Sequence, residues 1–301
     1  MTDPLVSAIM PTYQAEKYVR AALRSALAQD YRPLEIVVSD DASKDATFDI
    51  VRQEVAAYDG PHAVLVNRNE TNLVIANWNK LWSMASGELI VEFHNDDVAN
   101  PDRVSVLARA WRDTGVSVLS SNAREIDEAG ADTGELFDSG AAYNVDLASL
   151  VETGWTPATK AATLAYDRAV IDRFGDLDPE QSVSSTDWII PFRGALLNGV
   201  RVLNEHLLSV RRHGESGAQQ AFFTQADARA VDEALFAEGI VQRLYLLYTL
   251  DDWMLKHPDD PRLKRHYAKL VEKILYTARD WRSVRNALMR ARYRPTWQPL
   301  D

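Results

Sequence analysis

Two rhythms of apolar residues alternate along roughly the first 120 positions. Residues 5–10 form a short, nearly continuous apolar run ended by Pro11, which predicts a buried strand feeding a loop. From 15 to 29 the period changes: Val19, Ala22, Leu23, Ala26 and Leu27 fall on one face of a helix. The pair then repeats. Residues 34–38 predict a second strand, followed by Asp40, Asp41 and Ser43, with Ser43 as N-cap of a helix through Phe48, Val51 and Val55. Residues 62–66 predict a third strand, 74–85 a helix stopped by Gly87, and 88–93 a fourth strand running into His94, Asn95, Asp96 and Asp97. A helix after Pro101 reaches Asp113, and 116–119 predict a fifth strand. Such alternation implies a mainly parallel sheet with helices on both faces.

Beyond residue 120 the alternation weakens. Residues 122–143 predict an irregular hairpin or loop, 161–166 a strand, 168–174 a short helix, 184–197 a helix and 201–210 a strand. From 224 onward the pattern is helical, interrupted by Pro258 and Pro261.

Composition narrows the chemistry. Hydrophobic content of 46% and charged content of 26% are those of a globular chain, and zero cysteines exclude disulfides, thiolate metal sites and a cysteine nucleophile. Any metal must take oxygen or imidazole ligands. No leader pattern and no bilayer-length apolar run is visible, so a cytoplasmic location is expected. A net charge of −11 argues against nucleic acid as a partner. Residues 262–294 reverse that sign, with eleven Lys and Arg against Glu272 and Asp280.

In a parallel sheet, ligands bind outside the carboxyl ends of the strands. There stand Pro11, Thr12 and Tyr13 after strand one, Asp40 and Asp41 after strand two, and His94 to Asp97 after strand four. Asp96 and Asp97 suit a divalent cation that clamps a diphosphate, or equally a turn that they cap. The same choice stands for Asp40 and Asp41, and Tyr13 either stacks on a base or covers a helix end. Trp78, Trp82 and Trp188 offer sugar stacking or core packing, and Asn72, Asn77 and Asn79 offer donor contacts or local caps. No two glycines are spaced G-x-G, and no P-loop, G-x-S-x-G or H-E-x-x-H occurs. A diphosphate here needs a cation plus basic side chains.

Five landmarks in order resemble glycosyltransferase family 2, the inverting enzymes of GT-A fold. They are Val6 to Ala15, Glu35 to Asp45, Asn77-Trp78-Asn79 ahead of Ser86 to Ile90, His94 to Asp97, and Ser185-Thr186-Asp187-Trp188 followed by Val210 to Ser216. The resemblance implies an α/β, Rossmann-like GT-A sheet over residues 1–220, with a nucleotide-sugar half at 1–120, an acceptor half at 121–220, and a C-terminal helical extension at 221–301. It implies transfer from a nucleotide diphosphate sugar, UDP-linked in preference to dTDP-linked, to a hydroxyl on a glycan or lipid-linked acceptor, in cell-surface polysaccharide synthesis. Pro11, Thr12, Tyr13, Asp40, Asp41, Asn72, Asn77 and Asn95 would hold the donor, with Arg211 and Arg212 on the departing diphosphate. Mn2+ or Mg2+ would bind Asp96, supported by Asp97, His94 and His213, and Asp187 would be the general base. Two departures stand out: His94 replaces the first aspartate of the metal motif, and Thr186 replaces a glutamate common before the catalytic aspartate. A sugar-nucleotide binding module without turnover, or a nucleotidylyltransferase, are the competing readings. The basic C-terminal helices are expected to touch an anionic inner membrane face, the acidic main domain or a second subunit.

Overall fold

The structure, a computed structural model, describes residues 2–153, 159–177, 186–213, 243 and 246–277. Four strands, β1 (Val6–Thr12), β2 (Leu34–Asp40), β3 (Ala63–Arg68) and β4 (Leu89–Glu92), alternate with α1 (Val19–Leu27), α2 (Thr47–Ala56), α3 (Ile75–Met84) and α4 (Arg103–Thr114). They lie in the order β3-β2-β1-β4, all parallel. The chain therefore builds outward from β1 to β3, then returns to the other side of β1. That reversal parts the loops after β1 and β4 and leaves a crevice at the carboxyl edge.

Period-2 alternation sets the two faces of this half. Ala8, Met10, Ile36, Val38, Leu89 and Val91 face α1 and α4 through Leu23, Val104 and Leu107. Ile9, Val37 and Ile90 point oppositely, onto Leu81 and Trp82 of α3. Gly87 is not the predicted helix stop, because α3 already ends at Met84. Its role is close approach: a Cβ there would lie 2.5 Å from the Ser7 backbone nitrogen. Ser43 is not an N-cap either. The helix starts at Thr47, and Ser43 turns back to donate to Asp40 from its N–H and hydroxyl.

The second half contains β5 (Val98–Ala99), β6 (Val118–Ile126), β7 (Asp132–Phe137), β8 (Tyr143–Val145), β9 (Ala165–Asp167) and β10 (Val200–Arg211). Its helices are α5 (Leu147–Thr153), α6 (Ala169–Phe174), α7 (Thr186–Leu196), α8 (residues 246–256) and α9 (Pro261–Thr277). The sheet continues β4-β9-β6-β10-β5, with β9 antiparallel to both neighbours. So the parallel expectation holds for β1 to β4 and for β6 with β10, and fails at β5, β7, β8 and β9. The strand expected over 161–166 is a 3-10 turn, Ala161–Thr163, before β9. The irregular stretch after 122 is the β6–β7 hairpin.

Leu246, Leu250, Leu263, Leu270 and Ile274 are buried in the same core as Leu150, Ile190 and Val200. Lys269 and Lys273 of α9 pair with Glu152 of α5, Lys269 at 2.6 Å. No described helix is long and apolar enough to cross a membrane. Ser184 and Ser185, the stretch Gly214 to Ser216, and positions 224–242 and 278–301 of the stretch expected to be helical lie outside the described residues.

Candidate functional site

The carboxyl ends of β1, β2 and β4 carry two adjoining cavities. One, of about 510 Å3, is lined by Tyr13, Gln14, Lys17, Tyr18, Asp45, Asn95, Asp96 and His213 among others. The other, of about 360 Å3, is lined by Pro11, Thr12, Tyr13, Asp41, Asn72, Val74, Asn77, His94 and Asn95. Tyr13 and Asn95 belong to both, so they form the partition, and the Asn95 amide reaches the Tyr13 carbonyl at 3.5 Å.

The two aspartates after β2 do different work. Asp40 is fully buried and takes the hydroxyls of Ser43 at 2.6 Å and Thr12 at 3.3 Å, with the Arg68 guanidinium 3.5 Å away. It is a strut. Asp41 accepts from Asn69 Nδ2 at 2.9 Å and from the backbone N–H groups of Leu73 and Val74 at 2.8 Å each. That grip holds Val74 at φ +52, a conformation uncommon for a β-branched residue, with its side chain 61% exposed on the cavity rim. Asn77, also expected to meet the donor, is buried and bonds Ser39 and Asn69. Asn72 accepts from the Val74 N–H at 3.1 Å, and Asn79 ties α3 to Leu177. Trp82 is core, donating to the Tyr166 hydroxyl at 2.8 Å.

After β4, ligand atoms of His94, Asp96 and Asp97 lie within 4.8 Å of one another. His213 joins them, its Nε2 3.0 Å from Asp96 Oδ2. Thus all four expected metal ligands meet. Burial and then the Asp96 charge push the Asp97 carboxyl up to about 6, against the pull of His94. For His94 burial acts downward, but Glu92, Asp97 and Asp96 together raise it to about 9. A cation would replace these protons as the counter-charge for both aspartates.

Arg211 and Arg212 part company because they sit at the end of a strand. Arg211 points inward: its N–H donates to Asp97 at 2.8 Å, its Nε to the Asp96 carbonyl at 2.9 Å, and its Nη1 to the carbonyls of Asp127 and Glu128. The guanidinium pins the loop after β4. Arg212 points outward to Glu125. Neither lines either cavity, whereas His213 and Lys17 line the larger one. Asp187, in the first turn of α7, accepts from the Ala161 N–H at 2.6 Å and lines neither cavity. Its neighbour Thr186 donates to the wholly buried Glu92 at 2.9 Å. Sequence reasoning missed Glu92, although a carboxylate inside an apolar strand was the available signal. It missed Lys160 as well, whose half-buried ammonium, lowered by burial and then by Arg212, feels Asp187 and Asp97.

Residues 7–148 match the model of the glycosyl transferase family 2 domain. Residues 7–148 form a family 2 glycosyltransferase domain. The chain is 26% identical over 242 residues to an uncharacterized glycosyltransferase of Nostoc sp., covering 76% of this chain and 71% of that one. Over 94 residues it is 34% identical to the GalNAc(5)-diNAcBac-PP-undecaprenol beta-1,3-glucosyltransferase of Campylobacter jejuni, spanning 31% of this chain and 30% of the relative. Among solved structures, S. aureus TarS in complex with UDP-GlcNAc superposes with TM-score 0.60 at 18% identity, over 90% of this chain and 81% of that one. The mannosyltransferase of Pyrobaculum calidifontis in complex with GDP-Man and Mn2+ gives 0.55 at 17%, over 97% and 85%. These likenesses give this chain the GT-A fold.

Proposed function

We propose that this glycosyltransferase moves a sugar, with inversion, from a UDP-sugar to a hydroxyl of a glycan or lipid-linked glycan acceptor, in surface-polysaccharide assembly and with Mn2+ or Mg2+ as cofactor. The observation that carries it is the convergence of His94, Asp96, Asp97 and His213 at the mouth of two cavities that share Tyr13 and Asn95. The donor set fits such a cation: one imidazole and two carboxylates cluster, and the buried His213 Nδ1 has no hydrogen-bond partner. UDP in preference to dTDP rests on TarS, described with UDP-GlcNAc, and Mn2+ on the mannosyltransferase described with it. A lipid-linked acceptor rests on the Campylobacter relative, whose name carries undecaprenol.

The chain's own residues then divide the work. Tyr13 offers its ring to the base, and Asp41, through its grip on Leu73 and Val74, shapes the wall opposite. When bound, the cation supplies positive charge that offsets the departing diphosphate. Asp187 takes the acceptor proton as the acceptor oxygen bonds the anomeric carbon, while the bond from that carbon to the diphosphate oxygen breaks on the opposite face. Its hydrogen bond from the Ala161 N–H fixes the carboxylate. The test is release of nucleoside diphosphate from nucleotide sugars with a panel of acceptors, with and without chelator. Asp187→Asn should lower kcat by about 10²- to 10⁴-fold with donor affinity retained. Turnover untouched by both the substitution and the chelator sinks the proposal.

A further inference from the structure

The two departures from the family pattern, His94 and Thr186, are 92 positions apart in sequence yet meet on one carboxylate. Glu92 lies at the end of β4 with no exposed surface. Its Oε2 accepts from the Thr186 hydroxyl at 2.9 Å and stands 3.9 Å from His94 Nε2, an ion-pair distance. Its Oε1 is buried without a partner, as is His94 Nε2. Burying a carboxylate this way is unfavourable unless a nearby group makes use of the charge. Among the described residues, the groups that act on it are His94, Thr186, Tyr166 and, at longer range, Asp187 and Arg103. A histidine that offers one ring nitrogen to a cation is typically oriented by a carboxylate on the other.

We infer that Glu92 is a positioning residue, which orients His94 by its Nε2 so that Nδ1 is presented to the cation, and ties that loop through Thr186 to the helix turn carrying Asp187. The negative charge that the family motif places at position 94, and commonly at 186, is supplied here from below by a single buried side chain. The metal loop and the base-bearing helix are thereby joined by a contact that neither cavity contains. This rests on the metal-dependent reading proposed above.

The pairing predicts reversal in a double-substitution cycle. In the full chain, Glu92→Gln keeps the bond from Thr186 but removes the charge, and should weaken Mn2+ binding, followed by loss of the free-ion EPR signal, by about 10- to 100-fold. His94→Asp alone sets a second carboxylate against Glu92, and should lower the urea midpoint. Combining the two should restore the midpoint above that of His94→Asp alone and bring Mn2+ affinity to within a fewfold of wild type. A merely structural Glu92 gives independent effects that multiply, and that result, or unchanged Mn2+ affinity in Glu92→Gln, overturns the inference. The urea cycle needs no ion, so additive midpoints refute the pairing even if wild type takes up no Mn2+, an outcome that instead counts against the metal-dependent function.

Discussion

The grip of Asp41 on Val74 can be measured as a coupling. Asp41→Ala removes three charge-assisted hydrogen bonds, from Leu73 N, Val74 N and Asn69 Nδ2. At about 1.5–3 kcal/mol each they set an upper bound, but the freed amides border an open cavity and regain water. Strain released at Val74, about 1–3 kcal/mol, offsets more, leaving a net loss near 3 kcal/mol. Val74→Gly in the wild-type background relieves the same strain, while the extra freedom of the unfolded chain counts against it by about 0.4–1 kcal/mol. Little apolar burial is lost, since the side chain is 61% exposed. The net should be stabilisation of about 1 kcal/mol. After Asp41→Ala the loop can relax by itself, so Val74→Gly should then destabilise by about 0.5 kcal/mol, for the unfolded-state reason alone. The coupling is therefore about 1.5 kcal/mol, resolvable by urea denaturation followed through the eight tryptophans. Identical effects of Val74→Gly in both backgrounds would refute the claim that Asp41 imposes the strain.

Other expectations are simpler. Gly87→Ala should destabilise by about 3 kcal/mol, since its Cβ would meet backbone of β1 at 2.5 Å rather than a side chain that can turn aside; a urea midpoint near wild type would contradict this. Mn2+ at about 100 times its dissociation constant should stabilise the fold by about 2.7 kcal/mol, read as a thermal shift that Asp96→Ala abolishes; a shift surviving the substitution places the ion elsewhere. His62, held against the Gln29 carbonyl at 2.9 Å, has its pKa lowered by burial. Above about pH 6.5 the ring is neutral folded or unfolded, and its contribution is intact. As pH falls below that value and on through the lowered folded pKa, the unfolded chain takes the proton more readily, so stability is lost. His62→Gln should flatten this slope between pH 7.5 and 5.5, and equal slopes in variant and wild type would rule it out.

The first 120 residues were readable because their signals are local. Apolar runs such as 34–38 and the helical face of Val19, Leu23 and Ala26 are fixed by neighbours a few positions away, and the polar residues at the strand ends follow from the parallel arrangement. What the pattern left out depends on distant partners. The two-residue β5 exists only because Val98 and Ala99 find β10, and β9 runs antiparallel because it is inserted between β4 and β6. The motif residues divide similarly. His94, Asp96 and Asp97 could be grouped from adjacency, and the family pattern added His213. That Asp40 is a strut, and that Arg211 faces inward and Arg212 outward, is decided by which side of a loop or strand each occupies. Asp187 could be named but not oriented, since its surroundings are assembled from Ala161 and the end of β4.

The lock formed by Arg211 also bears on biosynthesis of the chain itself. The carbonyls and carboxylate it fastens lie some 85 to 115 positions upstream, so a ribosome that has delivered the first half has made a crevice with an unfastened rim. Fragments that end before Arg211 should lack this fastening, and capture of Mn2+ at the proposed site would report that the chain has grown past His213.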